Sequence, residues 1–195
     1  MTLGNWTGKG LIMKNFVRGD TLFSLCGLNC GLCSMHIDHY CPGCGGGQGN
    51  QPCAIARCSV HHGGIEYCHQ CEEYPCEKYN GVDQFDSFIT HRNQLKDMDK
   101  IKKIGNVAYL SELKEKVEIL QYLLANYNDG RKKSFYCIAV NLLELSDLKT
   151  IIEQIETKLC KGELTIKEKA AIASNIFQTV AAQHSIVLKL NKKQA

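Results

Sequence analysis

Between residues 26 and 76 the chain reads CGLNCGLC, CPGC, CAIARC and CHQCEEYPC in succession. Ten of its twelve cysteines and five of its seven histidines fall in that window. Thiols at such density pair as disulfides, attack as nucleophiles or ligate a metal. The redox compartment decides between disulfide and metal. The opening MTLGNWTGKGLIMKNF has no apolar core of the kind that directs secretion, so a reducing, cytoplasmic setting is expected, and clustered thiols there mean metal. Cys30 with Cys33, Cys41 with Cys44, and Cys68 with Cys71 are C-x2-C knuckles, a spacing that lets two sulfurs grip one tetrahedral ion. Cys26, Cys53, Cys58 and Cys76 supply four further ligands.

Ten thiols exceed two four-coordinate sites by two. Two pairings compete. Cys41 and Cys44 could join Cys68 and Cys71 across a 23-residue loop, leaving Cys26, Cys30, Cys33, Cys53, Cys58 and Cys76 around a second site. Alternatively, Cys30 and Cys33 join Cys41 and Cys44. The expected cofactor is Zn2+, two ions, with a 4Fe–4S cluster as the alternative, since tetrahedral thiolate suits both. Cys26-x3-Cys30-x2-Cys33 also matches the cluster spacing of radical-SAM enzymes, but no βαβ pattern follows it to build their barrel. Cys41-Pro42-Gly43-Cys44 has the form of a redox dithiol, yet Gly45-Gly46-Gly47-Gln48-Gly49 follows where a helix would be needed. That glycine run lacks the Lys-Ser/Thr ending of a phosphate loop and reads as a link between knuckles. Among the histidines, His61 is the best ligand candidate, two residues beyond Cys58 plus one. Cys137 and Cys160 lie in helical stripes and read as buried apolar thiols.

The window holds only seven large aliphatic side chains, Leu28, Leu32, Met35, Ile37, Ile55, Val60 and Ile65. They are too few to offset the chain entropy of ordering it alone. A structural zinc site adds about 10–16 kcal/mol of folding free energy, so metal is expected to be a condition of its folding. The same residues resemble a bacterial and archaeal Cys-rich family designated domain-of-unknown-function family 3795. Its C-G-x-x-C-x-x-C, C-x-G-C, C-x-I-x-x-C and C-x-x-C-x-x-x-P-C motifs are matched by Cys26–Cys33, Cys41–Cys44, Cys53–Cys58 and Cys68–Cys76. The resemblance covers residues 26 to about 80 and implies a metal-binding module without an assigned reaction.

The elements around the thiols read as a strap, a module and a helical half. Residues 1–25 are expected to be a partly disordered strap, 26–80 the Cys-rich module with short helical turns, and 81–195 a helical domain. The fold class is thus a small metal-stabilised module packed on a mainly α-helical half, with little or no sheet. Turns are predicted at Ser34–Ile37, Pro52–Cys58 and Cys76–Tyr79, where helix N-termini would aim N–H groups at thiolate sulfur. Beyond Tyr79, Leu110, Leu113, Val117, Leu120 and Leu124 share one face of a helix capped by Asn106 or Ser111 and stopped at Asp129-Gly130. A shorter apolar helix follows over Ser134 to Leu143. Ser146 caps the next, with Leu148, Ile151, Ile152, Ile155 and Leu159 inward and Gly162 after its end. Thr165-Ile166-Lys167-Glu168 has the form of a capping box opening a helix with Ala170, Ala173, Ile176, Phe177 and Val180 inward. Ile186–Leu190 reads as a strand or a helical turn.

Composition narrows the function classes. Apolar content of 44% and a charged fraction of 22% fit a soluble globular protein, and a net charge of +3 supports no broad polyanion binding. No stretch is long and apolar enough to span a membrane. Residues 26–76 set Arg57 against Asp38, Glu66, Glu72 and Glu73, a net of −3, which two all-thiolate zinc sites would take to about −7. Nucleic acid is therefore not expected on the metal face. Residues 77–195 carry +4, so the acidic module is expected to dock on the basic helical half. Lys100-Ile101-Lys102-Lys103 and Arg131-Lys132-Lys133 read as solvated helix faces. No carboxylate pair or nucleophile–base set stands out. The expectation is a zinc-binding protein with structural metals and an adaptor role toward an unidentified protein partner. The alternative is an iron–sulfur protein in electron transfer or redox sensing.

Overall fold

The computed structural model describes residues 16–47, 53–159 and 163–193. Among these the chain is mainly helical, with seven α-helices, three 3-10 turns and no strand. The expectations for residues 1–12, Gly49, Pro52, Cys160 and Gly162 lie outside the described residues.

Two short helices sit in the cysteine-rich stretch, α1 (Ser34–Ile37) and α2 (Ala54–His61), accompanied by 3-10 turns at Cys30–Leu32, Cys68–Gln70 and Glu77–Tyr79. Both helices are capped by a cysteine in extended conformation. Cys33 precedes α1, and Cys53 precedes α2 with its sulfur accepting the Ala56 N–H at 3.2 Å. Neither helix is long enough to hold itself in water, so both depend on what anchors their ends.

The helical half begins with α3 (Gln94–Ile104), which the sequence reading did not place as an element. Its only fully apolar side chains are Leu95, Met98, Ile101 and Ile104 among charged neighbours, and Met98 and Ile101 are the two it buries completely. Gly105 ends it, and α4 (Asn106–Asn126) starts at once, burying Tyr109, Leu113, Leu120 and Leu123. α4 closes at Tyr127, a few residues before the predicted stop. α5 (Lys133–Leu142) is buried from Tyr136 through Leu142, as expected of a helix apolar on all sides. α6 (Leu145–Leu159) buries Leu148, Ile151 and Ile155, and α7 (Ile166–Gln183) buries Ala170, Ala173, Ile176, Phe177 and Ala181. The predicted capping box at its start is present. Glu168 accepts from the Thr165 backbone at 2.9 Å, and the Thr165 hydroxyl accepts from the Glu168 backbone at 3.4 Å.

α4 packs against α3, α5 and α6, α6 packs against α7, and α5 reaches back to α1 and the Cys30–Leu32 turn. The predicted strand or turn at Ile186–Leu190 is neither. This segment runs beside the loop at 84–92, with Arg92 donating to the carbonyls of Val187 and Lys189 at 2.8 and 2.9 Å.

The cysteine-rich stretch and the helices share one core. Phe23, Leu25, Leu32, Tyr67 and Tyr79 belong to the same buried cluster as Met98, Tyr109, Leu120, Tyr136 and Phe177. The count of seven aliphatics therefore understated what orders residues 26–76, because Phe23 and Leu25 of the strap and the faces of α3, α4 and α5 contribute the apolar surface the window lacks. Charge plays a small part in that docking. Lys133 pairs with Asp38 at 2.6 Å, while the centre of the contact is apolar and hydrogen-bonded.

Candidate functional site

The ten thiols fall into groups set by the local fold. Cys58 projects from α2, Cys68 and Cys71 flank a 3-10 turn, and Cys76 precedes another. Together with Ile55, Ile65, Tyr74 and Tyr79, these four line one small cavity of about 20 Å³, room for a single water-sized or ion-sized occupant. Cys68 is its buried member, and burial pushes its thiol up to about 12, with the nearby sulfurs of Cys26, Cys76 and Cys58 adding to the rise. The Tyr79 hydroxyl beside the Cys68 sulfur acts in the opposite direction.

A second group surrounds the tight loop at 24–30. Burial raises the Cys26 thiol to about 11, and Cys44 and Cys53 face it closely enough to oppose its ionisation. Burial raises Cys30 further, and Cys44, Cys26 and Cys33 lie close enough to oppose its ionisation. Burial also raises Cys44, which faces Cys53. Around this group stand donors aimed at sulfur. The Leu28 N–H points at Cys26, the Cys44 N–H at Cys30 and the Leu25 N–H at Cys44. Ser24 Oγ lies 3.2 Å from Cys26 Sγ. Arg18, 6% exposed, donates to the carbonyls of Phe23 at 2.8 Å and Glu66 at 3.1 Å, pairs with the Glu66 carboxylate at 3.2 Å, and brings its positive charge to Cys44. Neutral thiols need no such arrangement of N–H groups and a buried cation, whereas thiolates do.

Cys33 adjoins the second group beside Cys30 and also faces Cys41. Burial raises Cys33, whose neighbours in charge are Cys41 and, across the contact with α5, Cys137. The Met35 and His36 N–H groups of α1 point at the Cys33 sulfur, as predicted for a cysteine before a helix. Cys137 is buried, as its stripe implied, at 7% exposed.

One cavity brings Cys68 and Cys71 together with Cys58 and Cys76. Of the other two knuckles, Cys30 and Cys44 approach Cys26, while Cys33 lies near both Cys30 and Cys41. A 3-10 turn at Cys30–Leu32 carries Leu32 into the core at 0% exposed. His61 is exposed, and its neighbour His62 is the one that reaches Cys58, with Nδ1 3.6 Å from the sulfur and 2.9 Å from the carbonyl. Arg18, Ser24 and Tyr79 carried no signal in the spacing of cysteines. Only their position beside motif residues could have drawn attention to them.

The loop between Cys26 and Cys30 is locked onto the helical half. Asn29, 3% exposed, donates to Asp97 of α3 at 2.7 Å and to Asn141 of α5 at 3.2 Å, and accepts from the Tyr109 hydroxyl of α4 at 2.9 Å. The Cys26 carbonyl accepts from Gln94 at 3.0 Å and from Tyr79 at 3.2 Å. Gly27, at φ 100°, lies so close to α3 that a Cβ there would stand 2.5 Å from the Gln94 carbonyl oxygen.

Among the described residues, no three His, Cys, Asp or Glu side chains stand in an arrangement that could hold a metal ion as placed. What the fold supplies is the donor set. Four soft ligands line a cavity of single-ion size, four more cluster within a ring of N–H donors, and both groups fit a tetrahedral thiophilic cation in chemistry and number. No family model, curated protein or solved structure matches the chain.

Proposed function

We propose that this is a zinc-binding protein whose metals are structural, with Cys58, Cys68, Cys71 and Cys76 as one site and Cys26, Cys30, Cys44 and Cys53 as the other. The observation that carries the reading is the cavity of about 20 Å³ lined by four thiols. Its size favours one ion over a multi-iron cluster. A bound divalent cation would supply the charge that these buried thiols lack and deprotonate them outright. Arg18, Ser24 and the N–H groups of Leu25, Leu28 and Cys44 would then hydrogen-bond or neutralise the resulting anions. The resemblance to domain-of-unknown-function family 3795 agrees with a metal-binding module.

Four thiolates around one zinc leave no position for water, so the role is architectural and points to an adaptor in a reducing, cytoplasmic setting. The loop at 84–92 and the segment at 186–191, bonded to each other, expose Phe85, Phe88 and Val187, with Phe88 70% exposed. That face is where a protein partner would dock. No described helix is long and apolar enough to cross a membrane.

Elemental analysis and a visible spectrum of protein purified without oxygen test the reading. Colourless protein with about two zinc per chain is expected. A brown, iron-containing protein would replace zinc by a cluster, and a folded, metal-free protein would overturn both.

A further inference from the structure

The two thiol groups are not independent. The backbone N–H of Cys68, in one group, donates to the carbonyl of Leu25 at 3.0 Å, directly before Cys26 of the other. Tyr79, 5% exposed, donates its hydroxyl to the Cys26 carbonyl at 3.2 Å, and the Cys68 sulfur lies beside the same hydroxyl. It therefore lies on the seam between the groups, and the same ring lines the four-thiol cavity. The third connection is α2. Cys53 caps its N-terminus and belongs to the first group, while Cys58 lies within it and belongs to the second. An eight-residue helix does not persist alone. Its order depends on both ends being held, so releasing one end loosens the ligand at the other.

We propose that the two groups form one fused unit that gains and loses its two metal ions together, with Tyr79 as the positioning residue between them. This rests on the metal reading above. An ion at one group fixes the Leu25–Cys26 backbone, one end of α2 and the Tyr79 hydroxyl, all of which the other group also uses. The second ion therefore meets a site already ordered, and its ordering cost is lower than the first ion's. By linkage, the first ion is held more tightly when the second is present.

The test uses the full-length, metal-loaded protein, with zinc withdrawn stepwise by limiting chelator and each species counted by native mass spectrometry. Independent sites of equal affinity leave about half the molecules singly loaded at half removal. The fused unit leaves less than about a tenth, with doubly loaded and metal-free chains dominating. Tyr79→Phe removes the hydroxyl but keeps the ring. It is expected to retain a capacity of two ions while raising the singly loaded fraction at least about threefold. A wild-type protein that passes through a majority of singly loaded chains overturns the coupling and leaves the metal reading standing. A Tyr79→Phe variant indistinguishable from wild type removes Tyr79 from the account. A protein that carries no metal at all overturns both readings.

Discussion

Asn29 is the residue on which the cysteine loop and the helices meet. Its amide makes two donations and accepts one hydrogen bond, from three different helices, within a buried setting. Asn29→Ala would leave Asp97 and Tyr109 short of a partner where water does not reach. We expect a loss of about 2–4 kcal/mol in urea unfolding of the metal-loaded protein. A loss below about 0.5 kcal/mol would mean that the network carries no weight. Asp97 itself gives a pH signature. Burial raises its carboxyl from 3.8 to about 6, against the lowering effect of Lys116 and Asn29. A carboxyl raised in the folded state binds its proton more tightly there than in the unfolded chain. Stability from this group is therefore greatest below pH of about 4, falls as pH rises toward about 6, and is level above that, a change on the order of 3 kcal/mol. Glu144 works in the opposite sense. Lys96 and Lys100 outweigh burial and hold it down to about 2, so its contribution is present above the ordinary carboxylate range and lost in acid. Asp97→Asn isolates the first effect. The stability of the variant relative to wild type should rise between about pH 4 and pH 6, and a difference independent of pH over that window would contradict the placement of Asp97.

At the scale of elements, what was legible in the chain and what was not have physical causes. α1 lies on its predicted residues because a cysteine in extended conformation ends the knuckle and starts the helix. α7 was legible from Thr165 and Glu168, whose reciprocal bonds are local and need no tertiary partner. Thr165→Ala should lower Tm by about 2–4 °C, the equivalent of about 1 kcal/mol in a chain of this size, and an unchanged melting curve would deny the cap any role. α3 escaped because its helical face is completed by Gln94 and Asp97, polar residues buried for their hydrogen bonds and not for their apolar surface. The partition of the thiols escaped for a similar reason. Spacing shows which cysteines are close along the chain, but which of them meet in space depends on Leu32 entering the core and on the packing of its turn against α4 and α5. Gly27 ties the loop to α3 by needing both a positive φ and an absent side chain. Gly27→Ala is expected to cost about 2–4 kcal/mol in chemical denaturation, and a variant as stable as wild type would show that this approach is not tight.

At the scale of the whole molecule, the Cys-rich stretch and the helical half share one buried core among the described residues. Tyr67, Tyr79 and Leu32 are buried with Met98, Tyr109 and Tyr136, and the ion pair across the contact between Lys133 and Asp38 is partly exposed and worth little by itself. Within the basic runs Lys102, Lys103 and Arg131 are exposed, as expected of solvated faces, while two partly exposed lysines are paired within the protein. Lys100 pairs with Glu112 and Glu144, and Lys133 with Asp38. The helices therefore serve as the bed on which the thiol loops are ordered, and on the proposed reading metal would complete what the shared core begins. The central claim is that thiolates alone surround the metal, and X-ray absorption at the zinc edge of the full-length protein measures this directly. The account predicts four sulfur ligands per zinc at about 2.3 Å. A first shell containing nitrogen or oxygen, or a protein without zinc, would contradict it.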